Sequence, residues 1–385
     1  MTSSTLNIAL QNQTTSSTVY AYITGQAIDN NNALFLLQSD GKTAYYPASP
    51  LSTGAALSED CAIPLGAPGN TVTVTVPHLA GSRIWFSVDN PLTFLLNPGP
   101  ALVEPSVTNP SDPNINISWD FCEFTFNTSQ LFINISYVDF VSLPISLTLT
   151  DTSNNTQHVA GMAFNGLDTV CSGLQAQQAS DNAGWSSLIV PNPKGGNLRA
   201  LNPTQGIVLN NNLFSGYFQP YVDQVWSNYA NQALSVDTQA QWGVVSGQVD
   251  SSTNLMTFDG VGTYAQPAAS DIFSCSTGPF ANTSNIELGA ITARLSAGFN
   301  RSTLLINEVQ PSGSASSYYQ NSITNHYARI IHAANLDGLG YAFPYDDVTP
   351  TGGQDQSGAL QSGNPQLLTV AVGGGNATAN LSVQL

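Results

Sequence analysis

Short segments with alternating apolar and polar residues dominate the first 150 residues of the chain. The clearest is 71–76, where Thr and Val alternate over six residues with the period of a half-buried strand. The same pattern predicts further strands at 5–10, 18–24, 33–37, 83–88 and 145–149. Clusters of Gly, Pro, Asn and Ser separate these segments, and many short strands at this spacing indicate a β-sandwich or barrel.

The pattern becomes helical near residue 156. Helices are predicted at 171–187, from Pro220 onward and from about Ser316 to a stop at Asp337-Gly338, because apolar residues recur there with helical spacing. Strand patterns return at 366–372 and 379–385. We therefore predict a mainly β fold in which 1–155 and 338–385 form one β domain. Residues 156–337 form an inserted mixed α/β domain, with a wide groove between the two.

Composition narrows the classes of partner. The chain has 385 residues, a net charge of −17 and only 7 basic side chains, while 42% of its residues are hydrophobic. So apolar a chain is not expected to be disordered, and it lacks the basic surface that nucleic acid or an anionic membrane requires. No apolar run reaches the length of a membrane span. We expect a monomer that binds a neutral substrate.

The cysteines and sequons favour a secreted protein. Four widely spaced cysteines allow three disulfide pairings, of which we predict Cys61–Cys122 and Cys171–Cys275, each within one domain. Nine N-x-[ST] sequons are also present. The first residues have neither the charged nor the apolar region of a signal peptide. This start is compatible with a mature chain carrying an added Met or with an intracellular protein, and we favour the first.

Carboxylates are the most informative candidates for catalysis. Nine of them lie between Arg83 and Lys194, a stretch without any basic residue. Two are embedded in apolar strands, Glu123 between Cys122 and Phe124 and Asp139 between Val138 and Phe140. Alternation places Glu123 on a polar face opposite a core face, and apolar flanks favour a protonated carboxyl. One protonated and one ionised carboxyl are what glycoside hydrolysis needs, although an inert polar face has the same pattern.

The segment 119–149, WDFCEFTFNTSQLFINISYVDFVSLPISLTL, resembles the central part of the thaumatin-like superfamily. The stretch 340–347, GYAFPYDD, is similar to the segment before the last strand of those proteins. Within that superfamily the chain resembles glycoside hydrolase family 64, the β-1,3-glucanases with a thaumatin-like barrel and a mixed α/β domain. Having only four cysteines favours this branch over the cysteine-rich defence proteins.

The resemblance implies a role for each matching residue. Glu123 is similar to the family's general acid and Asp139, sixteen positions later, to its general base. Four residues match sugar-binding positions: Thr125, Asn127, Phe132 and Ser136. Phe132 stands where the family can have Trp. The implied reaction is inverting hydrolysis of β-1,3-glucan without metal or cofactor. A thaumatin-like protein that binds glucan without cleaving it, or an antifungal protein, is the alternative.

The register of the hairpin poses a question about Asp139. A tight turn at 127–130 would leave Asp139 well beyond Glu123 along its strand. We therefore expect either a longer connection or a bend in the second strand.

Overall fold

The computed structural model describes residues 2–374. Apart from a 3₁₀ turn at Ile28–Asn30, the regular elements of the first 160 residues are strands, and the α-helices follow them. Numbered in chain order, the first fifteen strands are β1 Thr5–Asn12, β2 Val19–Ala27, β3 Ala33–Leu37, β4 Ala44–Tyr45, β5 Ala55–Ala56, β6 Ile63–Pro64, β7 Thr71–Pro77, β8 Leu79–Val88, β9 Leu95–Asn97, β10 Ala101–Val103, β11 Ser118–Phe126, β12 Leu131–Ile135, β13 Phe140–Val141, β14 Ile145–Asp151 and β15 Thr156–Val159.

The second part of the chain mixes both kinds of element. Its helices are α1 Gly166–Asp181, α2 Pro203–Leu209, α3 Gln219–Tyr229, α4 Ala269–Ser274, α5 Ile286–Arg301 and α6 His326–Ala334. Its strands are β16 Ile189–Pro191, β17 Asn197–Leu201, β18 Leu234–Asp237, β19 Val244–Asp250, β20 Leu255–Phe258, β21 Gly262–Tyr264, β22 Val309–Gln310, β23 Leu360–Ser362 and β24 Pro365–Val372. Among the residues described, no helix has the length and apolar character needed to span a membrane.

Two large sheets contain strands from both ends of the chain. One has the order β15-β14-β24-β1-β7, and in it β24 pairs parallel to β1 with Asn7 opposite Leu367. The other has the order β23-β12-β11-β8-β2-β3-β4, with β6 on β2. Alternate residues of both sheets are buried, such as Ile8 of β1 and Phe124 of β11, as expected for sheets with one face on the core. Three smaller sheets have the orders β10-β9-β5, β13-β17-β16 and β21-β20-β19-β18-β22.

The predicted strands are confirmed within a few residues of their ends, because their period-two pattern reflects a buried face. The last predicted strand, 379–385, lies outside the described residues. The helix predicted from Ser316 is wrong over its first ten residues. Tyr319 has a positive φ of 60°, and the Asn325 side chain accepts the N–H of Ala328, so the helix begins only at His326. The sheet of β18–β22 and helix α5 were not predicted.

Candidate active site

Strand β11 presents Glu123 from the centre of the eight-stranded sheet. It pairs antiparallel with β8 on one side and β12 on the other, so that Glu123 lies opposite Arg83 and Asn134. Cys122, Phe124 and Phe126 point into the core and are at most 2% exposed. The alternation predicted from the sequence is confirmed, and Glu123 lies on the opposite, accessible face with 38% of its side chain exposed.

A cavity of about 410 Å³ opens above this face of the sheet. Glu123 and Thr125 of β11 line it together with Phe132 and Asn134 of β12. Its rim also includes Gly81, Ser82, Arg83 and Glu104. The lining combines carboxylates, hydroxyls, an amide and aromatic residues, a set of groups that can hydrogen-bond and stack on a sugar.

Asp139 lies near the cavity of Glu123 because the segment that follows β12 leaves the eight-stranded sheet. The turn is tight, since the Asn127 N–H donates to the Gln130 carbonyl, and β12 ends at Ile135. The chain then bends and continues into β13, which pairs with β17 instead of β11. Of the two expected solutions, the bend is therefore the one that occurs.

The bent segment is held by contacts at Asp139 itself. The Asn202 N–H donates to the Asp139 carbonyl at 2.9 Å, and Gln205 Nε2 donates to Asp139 Oδ1 at 2.8 Å. Gln205 belongs to α2, whose first turn is capped by the Asn202 side chain. A helix end from the second part of the chain thus orients the side chain of Asp139.

Asp120, on the core face of β11, supports this segment from below. Its Oδ2 accepts the N–H groups of Ser142 and Leu143, and its Oδ1 accepts the N–H of Phe121. Burial raises the pKa of Asp120 to about 7, against these hydrogen bonds and the nearby charge of Arg199. One strand therefore presents Glu123 on one face and anchors the segment of Asp139 from the other.

Arg83 links the surroundings of the two predicted catalytic carboxyls. Its Nε lies 3.1 Å from Glu123 Oε1 and its Nη1 lies 2.6 Å from Glu104 Oε2. It also lines a second cavity of about 210 Å³ that contains Asp139, Gln205 and the aromatic rings of Trp85, Trp119 and Phe121. Glu123 and Asp139 thus occupy two adjoining cavities that share Arg83.

Two of the four predicted sugar-binding residues line the cavity with Glu123, namely Thr125 and Phe132. Asn127 lies in the turn, where its Oδ1 accepts the N–H groups of Ser129 and Gln130. Ser136 is 4% exposed and forms a bridge with Tyr341. Neither Asn127 nor Ser136 lines the cavity around Glu123.

Sequence reasoning missed several residues of the site. Asn134 is marked in the sequence only by its N-x-[ST] sequon, although the hairpin register places it opposite Glu123. In the sequence, Arg83 only bounds a stretch without basic residues, whereas in the structure it pairs with two carboxylates of that stretch. Glu104 is one of the nine carboxylates between Arg83 and Lys194, but the sequence pattern does not distinguish it from the others. Nothing in the pattern marks Gln205, because the positions of both residues depend on how distant segments pack.

The Asp346-Asp347 turn next to the site is fixed by ion pairs. Asp346 is buried, with Oδ1 2.9 Å from Arg301 Nη2 and Oδ2 2.9 Å from His332 Nε2. Its neighbour Asp347 accepts a hydrogen bond from the Tyr341 hydroxyl at 3.1 Å. Asp346 is thus engaged in holding the turn together.

The disulfide prediction requires correction. Cys61, Cys122, Cys171 and Cys275 are all free thiols, each buried in its own surroundings. Cys122 points into the core of the sheet, while Cys275 contacts Asn300 and the Pro344 carbonyl. Burial raises the pKa of every one of these thiols, which keeps them protonated and unreactive. The cysteines therefore no longer support secretion.

The sequons support secretion less strongly than their number suggests. Asn12, Asn134 and Asn300 are at most 9% exposed, so the folded chain does not present them for glycosylation. The sequons at Asn376 and Asn380 lie outside the described residues.

Comparison with known proteins gives the family of the chain. A family model of glycoside hydrolase family 64, described as β-1,3-glucanase, matches residues 4–372. The chain belongs to this family. A solved laminaripentaose-producing β-1,3-glucanase, crystallised with laminaritetraose, superimposes on this family-64 chain with a TM-score of 0.85. The two are 31% identical, and the match covers 96% of this chain and 98% of that one. The fold is mainly β, as predicted.

Other relatives extend the comparison. A glucan endo-1,3-β-glucosidase of Arthrobacter sp. (strain YCWD3) is 31% identical over 77% of this chain and 52% of its own length, and that of Cellulosimicrobium cellulans gives the same values. The chain thus spans about half the length of these curated relatives. A β-1,3-glucanase domain of Clostridium beijerinckii, 20% identical, shares the fold with a TM-score of 0.72 over 96% of this chain and 98% of that domain.

Proposed function

We propose that the protein is an inverting glycoside hydrolase that cleaves β-1,3-glucosidic bonds, with Glu123 as general acid and Asp139 as general base. The observation that carries this proposal is the pair of adjoining cavities that share Arg83, with Glu123 in one and Asp139 in the other. Family membership and the names of the relatives supply the substrate class.

The two carboxyls have complementary tasks. Protonated Glu123 donates its proton to the glycosidic oxygen as the bond to the anomeric carbon breaks. Ionised Asp139 accepts a proton from a water molecule that attacks the same carbon from the opposite face. The hydrogen bond from Gln205 leaves Asp139 Oδ2 free for that water, and no metal or cofactor takes part in the proposed steps.

The groove favours a neutral polysaccharide. Sugar hydroxyls donate to carboxylates, and Thr125, Asn134 and Phe132 line the cavity where they can contact a glucan. A chain with a net charge of −17 repels phosphorylated or sulfated glycans.

We also propose the finer architecture. Within the described residues, the groove lies between a thaumatin-like β domain, 2–159 and 338–374, and a mixed domain, 160–337. The boundary predicted at 155/156 moves because β15 pairs with β14 in the five-stranded sheet of the β domain. The pairing of β24 with β1 and β14 supports a β domain built from both chain ends. We also propose that the enzyme is monomeric and secreted. The acidic, Lys-poor composition and the exposed sequons at Asn116, Asn154 and Asn282 support secretion.

The test is direct. The protein is incubated with a soluble β-1,3-glucan, released oligosaccharides are separated by size, and the anomer formed first is identified by NMR. We expect α-configured reducing ends. Binding without release of sugar would favour the glucan-binding alternative, and β-configured products would exclude inversion.

A further inference from the structure

Arg83 is fixed in position by its surroundings. Its guanidinium carbon lies 4.5 Å from the ring centre of Phe121 and 5.3 Å from that of Trp85, so aromatic faces support it on one side. On its edges it meets two carboxylates, Glu123 at Nε and Glu104 at Nη1. One cation is therefore shared by two carboxylates, and the contact with Glu104 is the shorter of the two.

Glu104 comes from a different part of the fold. It follows β10 in the small sheet β10-β9-β5, whereas Arg83 and Glu123 lie on neighbouring strands of the large sheet. Its side chain is 37% exposed and lines the cavity of Glu123. Burial raises the pKa of Glu104, Arg83 opposes this effect, and the charges of Glu123 and Asp139 add to it.

The charges that face one another are thus Glu104, Glu123, Asp139 and Arg83. Without Glu104, the Arg83 guanidinium would pair with Glu123 alone and would stabilise the ionised form of Glu123. An ionised Glu123 has no proton to donate. With Glu104 present, Arg83 pairs with both carboxylates and stabilises ionised Glu123 less. The negative charge of Glu104 also opposes the ionisation of Glu123. Both effects act in the same direction.

From this geometry we infer that Glu104 is a positioning residue, which holds Arg83 away from full engagement with Glu123 and so keeps Glu123 protonated up to a higher pH. The inference rests on the proposed role of Glu123 as the acid. It adds a third carboxyl to the site, one that acts through Arg83.

The test is the pH profile of kcat/KM for Glu104→Gln, each profile scaled to its own maximum. Activity that needs protonated Glu123 is lost on the alkaline side. We expect that alkaline limb to move by about one pH unit to lower pH, which is about a tenfold loss of scaled activity above the limb. Glu104→Asp, which retains the charge, should lie nearer the wild type.

The matched control is Glu308→Gln, which removes the same charge from an exposed position far along the chain. Its profile should coincide with that of the wild type. An unmoved limb in Glu104→Gln, or one that moves to higher pH, would overturn the inference. Complete inactivity at every pH would also overturn it, because Glu104 would then itself be needed for the chemistry.

A second readout does not depend on activity. The carboxyl carbon of Glu123 is followed by ¹³C NMR during a pH titration of wild type and Glu104→Gln. The midpoint of this titration should lie at lower pH in Glu104→Gln than in the wild type, and an unchanged midpoint would contradict the inference. If the wild type releases no sugar while the midpoint still moves, the proposed function fails and the electrostatic role of Glu104 stands.

Discussion

The two segments that carry the predicted catalytic carboxyls are held in different ways. The acid strand, β11, is bonded through its main chain to β8 and β12 along most of its length. The base segment, residues 136–143, has a two-residue strand pairing and an isolated bridge between Ser136 and Tyr341. It also depends on N–H groups that donate to Asp120 and on hydrogen bonds that Asn202 and Gln205 donate to Asp139. Glu123 is therefore oriented by a regular ladder, whereas Asp139 is oriented by individual groups from distant parts of the chain.

This difference has consequences for mutation. A side chain on the acid strand can be changed without altering the backbone that presents its neighbours. A side chain that supports the base segment cannot be changed in this way, because no extended main-chain pairing holds the backbone once the side-chain contact is lost. Substitutions around Asp139 should therefore lower kcat, and those around Glu123 should act mainly on KM unless they remove the acid itself.

The largest effect is expected from removing either carboxyl. Glu123→Gln and Asp139→Asn should each lower kcat about 10²–10⁴-fold, since general acid and base catalysis contribute such factors. Both are close to isosteric and accessible, so thermal unfolding should change little. Near-normal hydrolysis in both variants would mean that the polar face is inert.

The same pair of variants separates the two roles. A substrate with a good leaving group needs less protonation and should partly rescue Glu123→Gln but not Asp139→Asn. Azide should replace the missing base in Asp139→Asn and yield the α-glycosyl azide from a β-linked substrate. Rescue of the opposite variant would reverse the assignments.

Next in size is the loss of the anchor below the base segment. In Asp120→Asn an NH₂ group replaces one of the two carboxylate oxygens. At least one of the N–H groups of Ser142, Leu143 and Phe121 therefore loses its acceptor. We expect a loss of about 1–3 kcal/mol in the free energy of unfolding. Displacement of Asp139 should lower kcat up to about 10²-fold. Urea unfolding measures the change in stability and steady-state kinetics the change in kcat. Asp151→Asn, at the end of β14, is the control for kcat.

The anchor should also make stability depend on pH. Because burial raises the pKa of Asp120 to about 7, the folded state retains a proton that the unfolded chain loses near the ordinary carboxyl value of 3.8. This contribution to stability is present at low pH and is lost as pH rises toward and through about 7. The difference in unfolding free energy between wild type and Asp120→Asn should vary across this window, and a constant difference would contradict the assignment.

These contrasts explain what the sequence could predict. Period-two alternation is a local property of a paired strand, so it identified β11, its core face and the accessibility of Glu123. It could not reveal that the chain bends after Ile135, because the bend depends on pairing with β17 and on contacts from α2. Apolar flanks singled out Asp139 as a candidate, and the family resemblance gave it the role of general base. The roles of Glu104 and Asp120 depend on contacts between distant segments, which the sequence pattern does not contain.

A smaller effect is expected at the helix end that orients the base. Gln205→Ala removes the hydrogen bond to Asp139 Oδ1 but leaves the main-chain bond from Asn202 in place. A bond to a charged group contributes about 1.5–3 kcal/mol, and we expect kcat to fall about tenfold or more with little change in KM. Gln205→Glu should be worse, since a second carboxylate faces Asp139. A change confined to KM would place Gln205 in substrate binding.

The smallest effect is expected on the acid strand beside Glu123. Thr125→Val keeps the shape and β-branching of the side chain, so the pairing of Thr125 with Phe132 should remain. Only a hydroxyl that faces the cavity is lost, and one neutral hydrogen bond contributes about 0.5–1.5 kcal/mol. We expect KM for a soluble β-1,3-glucan to rise about two- to tenfold while kcat stays within about a factor of two. Thr148→Val, on β14 of the other large sheet, is the matched control and should leave both constants unchanged. A fall in kcat as large as that in Gln205→Ala would contradict the contrast between the two segments. It would mean that the pairing of β11 with β8 and β12 does not by itself fix the orientation of Glu123.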